Sequence, residues 1–152
     1  MQKRQWAYPV GWHFLSAGDV ADWLGMKRRK ALLYIEQGLI SPQVASPGIG
    51  KSWKFSLIDL MLFEFGKQLV ELGIAPRFLR TVAEDISQIV RGPYDDPAEC
   101  PALLYITRGD QNDTLQVSAV CDIEQCESVV IVNLAKIREK ILSLFAQRAA
   151  LL

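Results

Sequence analysis

Residues 25–42, GMKRRKALLYIEQGLISP, constrain the fold of this chain more than any other stretch. Gly25 turns the backbone out of one short helix, Lys27, Arg28, Arg29 and Lys30 open the next, and Gly38 stops it before Leu39, Ile40 and Pro42. A helix that starts on four cations works against its own dipole, because the free N–H groups of its first turn already carry partial positive charge. Such a start brings no folding benefit, so it is either a merely solvated cationic start or one whose use lies outside the fold, with a polyanion as the matching partner. The four side chains span a full turn and cannot all face one groove; two or three are expected to reach it.

The flanking residues supply a scaffold. Ser16-Ala17-Gly18-Asp19 is a capping box, and the helix after it is expected to bury Val20, Ala21 and Leu24 and to end at Gly25. A second helix over about 27–37, with Gly38 just past its end, completes a helix-turn-helix whose second member enters the major groove. Residues 41–55, SPQVASPGIGKSWKF, read as a β-hairpin wing whose second strand carries Lys51 and Lys54. Ser56 to Asp59 repeats the capping pattern, and the helix that follows offers Leu60, Phe63, Leu69 and Leu72 for burial before Gly73. Pro76 suits the first position of a fourth helix, which runs to Arg91 with an apolar stripe of Phe78, Leu79, Val82, Ile86, Ile89 and Val90.

Composition changes at residues 93–101, PYDDPAECP, and 92–101 read as a linker. Beyond it, Leu103 to Thr107, Leu115 to Cys121 and Val129 to Val132 are β-rich, and a three-stranded antiparallel meander is expected. Asn133 caps a final helix with Leu134, Ile137, Ile141, Leu144 and Phe145 on one face. The expected fold class is therefore mainly α plus α+β. It comprises an aromatic extension (1–14), a winged helix-turn-helix of four helices with a β-wing (15–91), the linker, and a small dimerisation or effector unit (102–152). Ile137, Ile141, Leu144 and Phe145 are candidates for a dimer interface, because Leu151 and Leu152 keep the chain apolar to its end; packing against its own sheet is the alternative.

Formal net charge is zero, which hides an asymmetry: residues 1–92 hold 12 Lys+Arg against 8 Asp+Glu, and residues 93–152 hold 5 against 9. The excess positive charge gathers around residues 27–54. Cys100, Cys121 and Cys126 are odd in number and form no C-x-x-C pair, which suits reduced thiols in the cytoplasm. With only His13 to add an imidazole, they lack a compact metal-ligand spacing, and neither metal nor cofactor is expected. Trp6, Tyr8, Pro9, Trp12 and His13 interrupt any signal-peptide core, and no run approaches the roughly 20 apolar residues of a membrane span, so a soluble protein is expected. No phosphate loop, nucleophile elbow or carboxylate pair is present, so no enzyme activity is expected.

Residue chemistry divides the cationic positions. Arg28 and Arg29 suit base edges, since a guanidinium forms two hydrogen bonds to guanine, while Lys27, Lys30, Lys51 and Lys54 suit phosphates. Tyr34, one turn beyond Lys30, is either a phosphate donor or a core tyrosine. Leu32 and Leu33 cannot both be buried by so small a motif, and the aromatic N-terminal segment is expected to cover what remains.

Ala21, Gly25, Tyr34, Gly38-Leu39-Ile40, Pro42, Lys54-Phe55-Ser56, Asp59-Leu60 and Glu71-Leu72-Gly73-Ile74, in that order and spacing, resemble the MerR-type winged helix-turn-helix family over about residues 15–91. Leu32-Leu33-Tyr34-Ile35 replaces the family's Arg-Tyr-Tyr-Glu run, and Trp53-Lys54-Phe55 replaces its wing arginines and tyrosine. The resemblance implies a sequence-specific transcription regulator that binds double-stranded DNA as a homodimer, with RNA polymerase as a candidate further partner. The alternatives are a protein-interaction module that kept the fold without its DNA contacts, or a thiol- or metal-responsive sensor.

Overall fold

The two serine capping boxes form as the sequence predicts. α1 (Ala17–Leu24) begins where Ser16 Oγ accepts the Asp19 N–H at 3.1 Å and the Asp19 carboxylate accepts the Ser16 N–H at 2.9 Å. Val20, Ala21 and Leu24 are buried, and Gly25 closes the helix in the left-handed region at φ 64°, where a side chain would be strained. α2 (Arg28–Glu36) follows within three residues, with Lys27 at its N-cap, and Leu39 N–H returns to the Tyr34 carbonyl at 2.9 Å to seal its end around Gly38. A hairpin of β1 (Val44–Ala45) and β2 (Trp53–Lys54) pairs antiparallel, Val44 opposite Lys54. Phe55 extends this pairing to Leu15, so the base of the hairpin is tied to the entry of α1.

These elements belong to a computed structural model that describes residues 14–40, 44–45, 53–91, 101–108, 115–119, 122, 124 and 128–149. The expected aromatic extension up to His13, the tip of the hairpin with Lys51, the linker up to Cys100, and Cys121 and Cys126 lie outside the described residues.

α3 (Leu57–Glu71) is the central helix, apolar nearly all round, with Leu57, Leu60, Met61, Phe63, Phe65 and Leu69 buried. Leu72, which the sequence offers for burial, is instead 68% exposed, because it lies beyond the last turn of α3 and next to the Gly73 reversal. α4 (Pro76–Arg91) lays Leu79, Val82, Ile86 and Val90 against α3. Its last residue, Arg91, ion-pairs with the fully buried carboxylate of Asp59, which also accepts the Ser56 N–H at 2.8 Å. One carboxylate therefore caps α3 and fastens α4 to it.

Among the described residues the chain has five α-helices and a three-stranded antiparallel sheet of β3 (Leu103–Arg108), β4 (Leu115–Ser118) and β5 (Ser128–Asn133). The strand order is β4-β3-β5, not the meander order expected from the sequence. β3 takes the centre because its Leu104 and Ile106 are the deepest apolar residues of the sheet, and a central strand buries such residues best. α5 (Leu134–Ala149) begins at Asn133, whose Oδ1 accepts the Lys136 N–H at 3.0 Å, and it packs on both α3 and β3.

A single buried cluster joins α1 to α5 and the sheet, so the stretches on either side of residues 92–101 share one core. Ile137 and Ile141 are fully inside it, and Leu144 and Phe145 are partly buried against it. Burying one such aliphatic side chain stabilises by roughly 1.5–3 kcal/mol, enough to commit this helix face to the chain itself. Of the four residues read as a dimer interface, Ile137 and Ile141 serve intrachain packing, the alternative that the sequence left open, while Leu144 and Phe145 are only partly covered by it.

Candidate nucleic-acid interface

α2 is held from behind. Ala31, Tyr34 and Ile35, spaced one turn apart, form its buried face, while Lys27, Arg28, Arg29 and Lys30 are all exposed. None of the four cationic side chains has a hydrogen-bond or ion-pair partner among the described residues. The N-cap makes no side-chain hydrogen bond, in contrast to α1 and α3. The first turn of α2 therefore presents both uncapped N–H groups and cations that no described residue pairs with, an arrangement suited to an anion.

Further along α2 the outward face changes character. Arg29, Leu33 and Glu36 follow one another at helical spacing and are all exposed, Leu33 at 42%. Leu32 is only partly exposed and packs against the core, so of the leucine pair it is Leu33 that meets solvent. Glu36 was not singled out from the sequence, although its spacing from Arg29 and Leu33 places it there. An acid at that point repels phosphate and confines any anion to the first turn.

Tyr34 corrects one expectation. It is 1% exposed, its hydroxyl has no hydrogen-bond partner among the described residues, and it does not reach the surface where a phosphate would lie. Burial, with Glu71 and Glu64 adding to it, raises its pKa above the ordinary 10.0. Tyr34 is a core tyrosine because Ala31 and Ile35 fix which face of α2 turns inward.

On the hairpin, Lys54 is half-buried and Trp53 is exposed. Lys51 lies outside the described residues, as do the three cysteines read as a thiol or metal site. The geometry therefore gathers Lys27, Arg28, Arg29 and Lys30 on one helix start, and Lys54 stands apart from them on the hairpin, whose base is tied to the entry of α1.

The support behind this surface comes from residues distant along the chain, which carry no local sign of it. Lys67 on α3 donates to the Leu24 carbonyl at 3.1 Å, fixing the end of α1, and lies 3.8 Å from the buried carboxylate of Glu64. Glu64 is also paired with Lys140 of α5 and accepts from Gln68 at 3.1 Å. Arg148, near the end of α5, meets Asp22 at 3.1 Å and lies 5.8 Å over the Trp23 ring, where Phe14 and Phe145 complete an aromatic cluster. α5 thus braces α1, and α1 carries the turn into α2.

No helix among the described residues is long and apolar enough to cross a membrane. No protein-family model matches the sequence, and a search of curated proteins finds no match.

Proposed function

We propose that this chain is a sequence-specific DNA-binding transcription regulator of the MerR-like winged helix-turn-helix type, acting as a homodimer. α2 enters the major groove by its first turn, and the wing expected over residues 41–55 follows the backbone. The observation that carries this reading is the start of α2: four exposed cations with no partner among the described residues, on a helix without a side-chain cap whose opposite face is locked into the core. Arg28 and Arg29 read base edges, and Lys27, Lys30 and Lys54 contact phosphates. Two copies present two such helices to a two-fold-symmetric site. The protein is a binder, not a catalyst.

A second reading has one specific observation in its favour. Leu33 on α2 and Trp53 on the hairpin are exposed apolar residues on the two elements proposed to face DNA, where DNA contact alone would call for polar side chains.

Selection of duplexes from a random pool, followed by a salt titration of the selected site, separates the two. The regulator reading expects log affinity to fall linearly with log salt, by about 0.9 for each phosphate neutralised. Recovery of no preferred duplex, together with weak binding insensitive to salt, would favour the protein-interaction module.

A further inference from the structure

The three-stranded sheet has two unlike edges. β4 lies close against α4, whereas β5 pairs with β3 on one side and with no described strand on the other. β5 reads SVVIVN: no charge, no proline, no glycine, and four β-branched aliphatic residues in succession. An open edge of this composition is a template for further pairing, and natural sheets blunt such edges with lysine, proline or a bulge. β5 carries neither lysine nor proline, and its pairing with β3 runs residue for residue from Leu103 opposite Asn133 to Arg108 opposite Ser128, with no bulge.

The outer face of the sheet points the same way. The register places Tyr105 opposite Ile131 and Thr107 opposite Val129, with Leu103 beside them. Ile131 is 48% exposed and Leu103 is exposed too, while Leu104, Ile106 and Val132 on the other face are buried. An apolar patch therefore runs up to the open edge.

We propose that β5 pairs antiparallel with β5 of a second copy of this chain, joining two sheets into one of order β4-β3-β5-β5-β3-β4. The partner follows from the strand itself. Self-pairing about a two-fold axis perpendicular to the sheet keeps the inner faces of both copies on the same side, and it requires one residue to lie opposite its own copy across the axis. Centred on Ile131, it sets Ile131 against Ile131 and Val130 against Val132; centred on Val130, it sets Val130 against Val130 and Val129 against Ile131. Either register opposes apolar β-branched side chains and brings no like charges face to face, which is the condition for a strand to pair with itself. A foreign strand would find no charge on β5 to recognise. This surface supplies the second copy that the proposed regulator needs, but it rests on the sheet edge and not on DNA binding.

The test is sedimentation velocity of the full chain without DNA, over about 1 to 100 µM, a range that brackets a micromolar dissociation constant. A monomer–dimer equilibrium is expected, insensitive to salt or strengthened by it, in contrast to DNA binding. Ile131→Lys sets two cations opposite each other or beside the axis and is expected to weaken dimerisation at least about tenfold, while Ile131→Val leaves it intact. Because Ile131 is half exposed, the Lys variant is expected to keep its far-UV circular dichroism and melting midpoint. If that variant unfolds, amide exchange of the native protein decides: β5 amides slow as concentration rises. A wild-type chain that stays monomeric throughout, a dimer unchanged by Ile131→Lys in a folded protein, or β5 amides indifferent to concentration overturns the proposal. Each of these results leaves the DNA-binding experiment free to succeed or fail on its own.

Discussion

α2 and α3 begin in opposite ways. α3 opens on Ser56 with a reciprocal capping box and a buried Asp59 that also anchors Arg91; α2 opens on Lys27 with no cap, followed by three more exposed cations. The α3 start satisfies its own N–H groups and complements the dipole, and the α2 start does neither. The same chain builds two full capping boxes, and the missing one at α2 is the feature on which the proposed DNA contact rests.

The comparison can be broken at the α3 end first, where the largest change in stability is expected. Asp59→Ala removes the cap and leaves Arg91 without its carboxylate in a partly buried place, a loss of roughly 3 kcal/mol in denaturant unfolding. A loss below about 1 kcal/mol would mean that the buried carboxylate does not organise this end of the helix.

At the α2 end, Arg28→Ala and Arg29→Ala act on binding instead. If either guanidinium reads a base, its removal costs about 1–3 kcal/mol of affinity for the selected duplex and relaxes preference at one position. Uniform weakening across all sequences would reassign that arginine to phosphate.

The capping residues, the glycine stops and the apolar stripes were legible because each depends on neighbours within one turn. Ser16, Ser56, Gly25, Gly38 and the burial of Val20, Ala21 and Leu24 all follow from local spacing. The exposed start of α2 was legible for the same reason, since four adjacent cations cannot be buried. What the sequence did not disclose depends on partners far along the chain. The central place of β3 depends on which strand lies deepest, and the burial of Tyr34 depends on α3 behind it. The use of Ile137 and Ile141 in the core depends on α5 returning to α3, through a pair as distant as Glu64 and Lys140. An apolar helix face looks the same whether it meets its own chain or a second one.

Two smaller effects sharpen the contrast. Lys27→Ser gives α2 the kind of cap that α1 and α3 have, and thermal unfolding is expected to show a gain of about 1 kcal/mol. The same substitution removes one phosphate contact and makes the salt slope of DNA binding shallower by about 0.9. Smallest is Tyr34→Phe, which deletes a buried hydroxyl with no partner among the described residues and is expected to change stability by less than about 1 kcal/mol, with a gain more natural than a loss, and to leave DNA affinity unchanged. Its signature is in alkali. The raised pKa means that the folded chain holds the Tyr34 proton after the unfolded chain has lost it, so stability falls as pH rises past the ordinary tyrosine value of 10.0. Unfolding measured on both sides of that value is expected to show a steeper fall in the wild type than in Tyr34→Phe.

The most direct measurement replaces Lys27, Arg28, Arg29 and Lys30 together by alanine and records melting and affinity for the selected duplex on the same protein. If the start of α2 is reserved for a polyanion, affinity falls at least about a hundredfold while the melting temperature holds or rises, because the cations oppose the helix dipole. A lower melting temperature with undiminished affinity would contradict the account, since the four cations would then serve the fold and not the DNA.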